Sequence, residues 1–159
     1  MNMIRTAARA PWWRRSSVTA LLLAAVASAQ AQFTMVPAPQ LAGPPRESVA
    51  EIEKEYRIDG ARHISAAYRS RVMRGKLPPL MYAMMITETE IDATGNVVNV
   101  VVVREPAAAK EVTPWVVAMI RRAGPFPAPV KMGGVKYFEI WAVDKSRLFQ
   151  VDTLSEGQR

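Results

Sequence analysis

Glu88 and Glu90 stand two residues apart in a stretch rich in β-compatible residues, a spacing that sets both carboxylates on one face of a strand. Paired carboxylates act as general acid and base only beside a nucleophile, an oxyanion site or a metal. The chain supplies none of these. It has no cysteine, which excludes thiol catalysis and cysteine metal sites, and its single histidine, His63, leaves no cluster for zinc or for a Ser-His-Asp arrangement. His63 lies beside Arg62 near the start of a helical pattern and reads as a partly exposed helix residue without a role. Solvated charges are the simpler account of Glu88 and Glu90. No enzymatic activity, cofactor or metal is expected.

The elements that would carry these residues follow from periodicity. Ser48-Val49-Ala50-Glu51 has capping-box spacing and opens a charged helix expected to fail around Asp59-Gly60. From Ala61 to Arg74, Ile64, Ala67, Tyr68 and Val72 share one helical face, and Gly75 suits a left-handed C-cap. Lys76-Leu77-Pro78-Pro79 breaks that helix. A half-exposed strand follows over Met81 to Ile91, then the turn Asp92-Ala93-Thr94-Gly95-Asn96, then a strand from Val97 to Arg104. The run Val97 to Val103 is apolar on both faces, which predicts a central strand. Thr113 and Pro114 begin a second helix with Val116, Met119, Ile120 and Ala123 on its inner face and Trp115 at the rim of the core. Arg121 and Arg122 suit its C-terminal dipole, and Gly124-Pro125 stops it. A Pro-rich connection leads to a strand over Val135 to Val143 and a short one over Arg147 to Val151. In the former, Tyr137, Glu139 and Trp141 alternate with Phe138, Ile140 and Ala142.

The N-terminus carries a different signature. Residues 1–17 hold Arg5, Arg9, Arg14 and Arg15 without an acidic residue, Val18 to Ala27 is uncharged, and Ala29-Gln30-Ala31 has the A-x-A form of a signal-peptidase site. Cleavage before Gln32 is expected. The apolar run ends at Ser28 and Gln30, short of the roughly 20 residues a membrane-spanning helix needs, so a retained inner-membrane anchor is the lesser alternative. Arg14-Arg15 is followed by Ser16-Ser17-Val18 rather than a bulky apolar pair, which favours general secretion over twin-arginine export. Removing the signal leaves 17 basic against 14 acidic residues, so the formal +7 of the whole chain falls to +3 and nucleic-acid binding loses its main support. Phe33 to Pro45 contains Pro37, Pro39, Pro44 and Pro45 and reads as an extended tether.

The order strand, Asp-x-x-Gly turn, valine-rich strand, helix with basic residues and Ala at its end, Pro-Phe-Pro segment and final strand resembles the TonB/TolA C-terminal domain. Ile91 to Val100, Pro114 to Ala123 and Gly124-Pro125-Phe126-Pro127-Ala128-Pro129 carry the resemblance, which covers roughly Ile64 to Val151. It implies an α+β fold, a small antiparallel sheet of about three to four strands packed against two helices. It also implies a protein partner, such as an outer-membrane receptor or another envelope protein, paired with the strand after the Pro-Phe-Pro segment. Family members in energy transduction keep a membrane anchor and a long spacer. Here the expected tether spans at most about 45 Å, too short to cross a periplasm, so a component of energy-coupled transport is the alternative reading.

The sequence thus predicts a signal peptide over 1–31, a Pro-rich tether and charged lead-in over 32–60, the domain over 61–152 and a tail over 153–159. The product is expected in the periplasm of a Gram-negative envelope, as a binding module with no nucleic-acid or small-molecule substrate; a second copy of the chain is a further candidate partner. With Val97 to Val103 too apolar for an edge, the partner segment is expected along Val135 to Val143 or Arg147 to Val151, near Tyr137, Glu139, Trp141, Arg147 and Phe149. Amino-terminal sequencing of the periplasmic form is expected to begin between Gln30 and Gln32. Full-length chain recovered in the inner membrane would contradict the signal assignment.

Overall fold

In a computed structural model of the protein, residues 35–41 and 46–155 are described; the expected signal peptide lies outside them. The elements are β1 (Glu47–Ser48), α1 (Glu53–Ala67), β2 (Ala83–Asp92), β3 (Val97–Arg104), α2 (Val112–Ala123), β4 (Ala128–Pro129), β5 (Gly134–Val143), β6 (Phe149–Val151) and a 3-10 turn (Asp152–Leu154). The fold is α+β: a four-stranded antiparallel sheet in the order β3-β2-β5-β6, with β1 and β4 forming a separate parallel pair. No helix among the described residues is long and apolar enough to cross a membrane.

The two expected helical segments before β2 are one helix. Asp59-Gly60 does not end it, because Gly60 is a packing position: a Cβ there would lie 2.8 Å from Tyr137 Cε2. The capping box at Ser48 does not form. Ser48 Oγ donates to Asp59 Oδ2 at 2.7 Å, and the amide of Glu51 donates to Glu55 Oε2 at 3.1 Å. The helix also ends at Ala67, so Gly75, at φ 78°, belongs to the loop beyond and is not its C-cap. Tyr56, Gly60, Ala61, Ile64 and Ala67 form the buried face.

The lead-in from residue 46 and residues 35–41 of the expected tether pack onto the domain rather than standing apart from it. Tyr56 is buried and donates its hydroxyl to Pro127 O at 2.7 Å. Before it, the extended segment 35–41 lies against both helices: Gln40 N donates to Ala67 O at 2.6 Å, and Arg122 Nη1 to Val36 O at 2.8 Å.

The hairpin turn has the chemistry its sequence suggests. Asp92 Oδ1 accepts the amides of Thr94 (2.8 Å) and Asn96 (2.9 Å) together with the Thr94 hydroxyl (2.7 Å). These donors, the Thr94 hydroxyl foremost, hold the Asp92 carboxyl down at about 2. Gly95 has φ 90°, and a Cβ on it would meet Phe126 O at 2.1 Å, so the turn and the Pro-rich connection close on each other through this one residue.

Both helices cover one face of the sheet. Val112, Trp115, Val116, Met119, Ile120 and Ala123 of α2 are buried, so Trp115 belongs to the core rather than its rim. Thr113 does not cap this helix; its hydroxyl is buried without a partner and Glu111 holds the N-cap position. Trp141 and Phe149 pack with ring centroids 5.3 Å apart, and Phe126 and Tyr137 at 5.9 Å. Such pairs add roughly 0.5–1.5 kcal/mol to what area burial supplies.

One expectation about the sheet is reversed. The valine-rich β3 is an edge strand, with Val98, Val101 and Val103 exposed at 62%, 41% and 53%, and Val100 and Val102, expected in the core, only half-buried against it. The centre belongs to β2 and β5, which pair over ten residues from Ala83↔Val143 to Asp92↔Gly134. Val116 and Ile120 are fully buried. Ile120→Ala is expected to lower stability by about 2–5 kcal/mol in denaturant unfolding; a loss under about 0.5 kcal/mol would place that side chain on the surface.

Candidate functional site: the sheet edges

The five residues expected to meet a partner do not lie on an open edge. Tyr137, Glu139 and Trp141 occupy the helix-covered face of β5, and Phe149 the same face of β6; each is at most 1% exposed. They hold the core together. Trp141 Nε1 donates to Thr87 Oγ1 at 3.0 Å, and Tyr137 OH to Glu139 Oε2 at 2.9 Å. Arg147 sits in the turn between β5 and β6 with φ 67°. The alternation along β5 was read onto the wrong face because its two sets of side chains are almost equally apolar.

Glu139 is the most demanding of these groups. Burial pushes its carboxyl up, against hydrogen bonds that hold it down. Its Oε1 accepts the amide of Ile140 (3.0 Å) and the amide and hydroxyl of Thr153 (3.3 and 3.1 Å), with Arg57 Nη2 at 3.7 Å. Thr153, expected in a tail, therefore belongs to the fold.

Which peptide groups remain open follows from one hydrogen bond. Arg57 Nε donates to Phe138 O at 2.9 Å, so Phe138 turns its peptide groups away from β2. Peptide direction alternates along an antiparallel ladder. Glu88, opposite Phe138, then faces β3, while Thr87 and Thr89 face β5. Their β3 neighbours, Val102 and Val100, must point their amides outward from the sheet.

The far side of the sheet is covered from Phe138 to Val143. β6 pairs with Trp141 to Val143, and its own outer side is covered by residues 71–75: Phe149 N donates to Arg71 O (2.9 Å), Met73 N to Phe149 O (2.8 Å), and Gln150 Nε2 to Met73 O (2.9 Å) and Gly75 O (2.6 Å). Below the end of β6, Arg57 occupies the Phe138 carbonyl and Glu139 the Ile140 amide. On the β3 side Asn99 Oδ1 is a comparable device, accepting the amide of Val100 at 2.9 Å. Among the described residues no strand pairs with the outer side of β3. Sequence reasoning missed this edge because it took an unbroken apolar run as the mark of a strand with two neighbours.

The charged candidates behave as a surface cluster. Lys136 Nζ lies 3.0 Å from Glu88 and 3.9 Å from Glu90 on the helix-free face. The Glu88 hydrogen bond raises the Lys136 ammonium pKa. No group of three or more His, Cys, Asp or Glu among the described residues could hold a metal ion. Compared with protein-family models, curated proteins and solved structures, the chain finds no match.

His63 has a structural partner: its Nε2 lies 2.7 Å from Ala123 O, and its ring stacks on Phe126 at 4.7 Å. Burial first, and then Arg46, push its pKa below the ordinary 6.5, opposed by the Ala123 contact. A base kept neutral in the fold binds fewer protons than in the unfolded chain. Stability is then complete above about pH 6.5 and falls as the pH drops from there toward the lower folded pKa. Glu139 has the opposite sign, its raised pKa favouring the fold toward acid, so the difference between wild type and His63→Gln isolates the histidine. The variant is expected to show a flatter loss of stability from pH 6.5 to 5 by chemical denaturation; equal slopes would contradict the assignment.

Proposed function

We propose that the chain is an exported, non-enzymatic binding module that takes an extended segment of a partner protein onto the outer edge of β3. The observation that carries this reading is the contrast between the two edges. One is covered over Phe138 to Val143 and along β6 by β6, the 71–75 segment, Arg57 and Glu139, while the other presents an eight-residue strand with Val98, Val101 and Val103 exposed. Exposed apolar edge strands invite pairing, and folds that avoid it use charge, proline, a bulge or a covering element. β3 has no charge before Arg104 and no proline, and between the register shifts of its ladder at Val98 and Val103 the stretch Asn99 to Val102 is regular. Backbone hydrogen bonds to β3 would supply affinity, and contacts beside the exposed valines selectivity.

The resemblance to the TonB/TolA C-terminal domain supports a protein partner of the envelope, with the pairing strand moved from β5 to β3. Periplasmic residence rests on the Arg-rich start, apolar run and Ala29-Gln30-Ala31 of the N-terminus. Energy-coupled transport would require residues 18–29 to be kept as an anchor.

Proline at Val102 removes an outward amide and leaves the ladder to β2 intact. Val102→Pro is expected to stay folded by circular dichroism and to capture its envelope partner at least about tenfold less well in pull-down, a loss of about 1.4 kcal/mol. Asn99→Ala, which frees the Val100 amide, is expected to bind as well as wild type or better. A folded Val102→Pro protein that binds at undiminished affinity would overturn strand addition at β3.

A further inference from the structure

The exposed edge of β3 is complementary to itself, and we infer that a second copy of this chain pairs with it, antiparallel, about a two-fold axis at Val101. This names a partner for the edge described above and rests on that reading. Val100 and Val102 point their amides outward, so an axis at Val101 sets Val100 of each copy against Val102 of the other, and such pairs exchange both of their backbone hydrogen bonds. Asn99 must release the Val100 amide for this to happen. Val100 and Val102 are half-buried although they lie on the helix-covered face, so α2 stops short of closing that side of the edge.

Charge favours the same arrangement. No charged residue lies between Val97 and Val103, so the antiparallel match opposes no like charges. Arg104, paired with Ile86, stands on the helix-free face, as do Glu88 and Glu90. The axis carries Arg104 to the position beside Val98 and Asn99 of the second copy. Asn99 is the cross-strand neighbour of Glu90. Two strand spacings, roughly 10 Å between Cα atoms, separate Arg104 of one copy from Glu90 of the other, within the combined reach of both side chains. The Glu90 side chain is 38% exposed and lies at 3.9 Å from Lys136, which has its closer contact with Glu88. The two Arg104 side chains fall at opposite ends of the interface. A C2 pair of this kind joins two four-stranded sheets into one continuous sheet with all helices on the same side.

Sedimentation equilibrium of the purified processed chain tests the inference. The protein is expected to form a concentration-dependent dimer. Val101→Lys, at an exposed position where the fold tolerates charge, sets two ammonium groups beside the axis and is expected to weaken the dimer at least about tenfold. Arg104→Glu is expected to weaken it, and Arg104→Glu combined with Glu90→Arg to restore it. A protein monomeric at every concentration, or a dimer indifferent to Val101→Lys with folding retained by circular dichroism, overturns self-pairing. If a monomeric protein still captures an envelope protein in a Val102-dependent way, self-pairing fails while strand addition stands; if it captures none, both fail.

Discussion

A carboxylate placed in an apolar interior costs several kcal/mol unless its oxygens are bonded, and Glu139 meets that condition through three separate parts of the chain. Tyr137 on its own strand, Thr153 in the C-terminal turn and Arg57 on α1 all converge on it. The helix, the central strand and the C-terminus must therefore be in place together. Arg57 and Glu139 also occupy the Phe138 carbonyl and the Ile140 amide, so the residues that meet at the buried charge cover that stretch of the edge as well. The asymmetry between the two edges is a consequence of how the core is stabilised.

The helices cover one face, and β2 and β5 take the centre with ten paired residues each. The polar alternation of β2 suits that place: Thr87 and Thr89 face the helices, while Glu88 and Glu90 face solvent and share Lys136. Among the described residues β3 pairs with a strand on one side only. Its valines on the covered face stay half-buried, and those on the other face are open, which concentrates apolar surface and unpaired backbone in one strand.

Local features were legible in the sequence. The Asp92 to Asn96 turn, the limits of β2, β3 and β5 to within a residue or two, and the buried face of α2 all follow from short-range spacing. Strand order was not legible, because hydrophobic alternation states which face of a strand is covered and not which strands lie beside it. Gly60 read as a stop because the residue that needs its missing side chain, Tyr137, lies far along the chain. The expected tether read as unpacked because proline content reports backbone stiffness and not the hydrogen bonds that Val36 and Gln40 make to distant helices. The expected partner residues, Tyr137, Glu139, Trp141 and Phe149, were aromatic and charged groups of the kind that interfaces favour, and the same properties suit a core that must satisfy a buried carboxylate.

The central claim is that the outer edge of β3 is where this fold accepts another chain. Residue-resolved amide hydrogen exchange by NMR tests it most directly. In dilute, unliganded protein the Val102 amide is expected to exchange freely, while the Val101 amide, which faces β2, is protected. With the edge occupied, by a partner segment or by a second copy, the Val102 amide is expected to become protected while those of Ile140 and Phe149 stay as they were. Binding that leaves Val102 unchanged and alters exchange at Ile140 or along β6 would contradict the account.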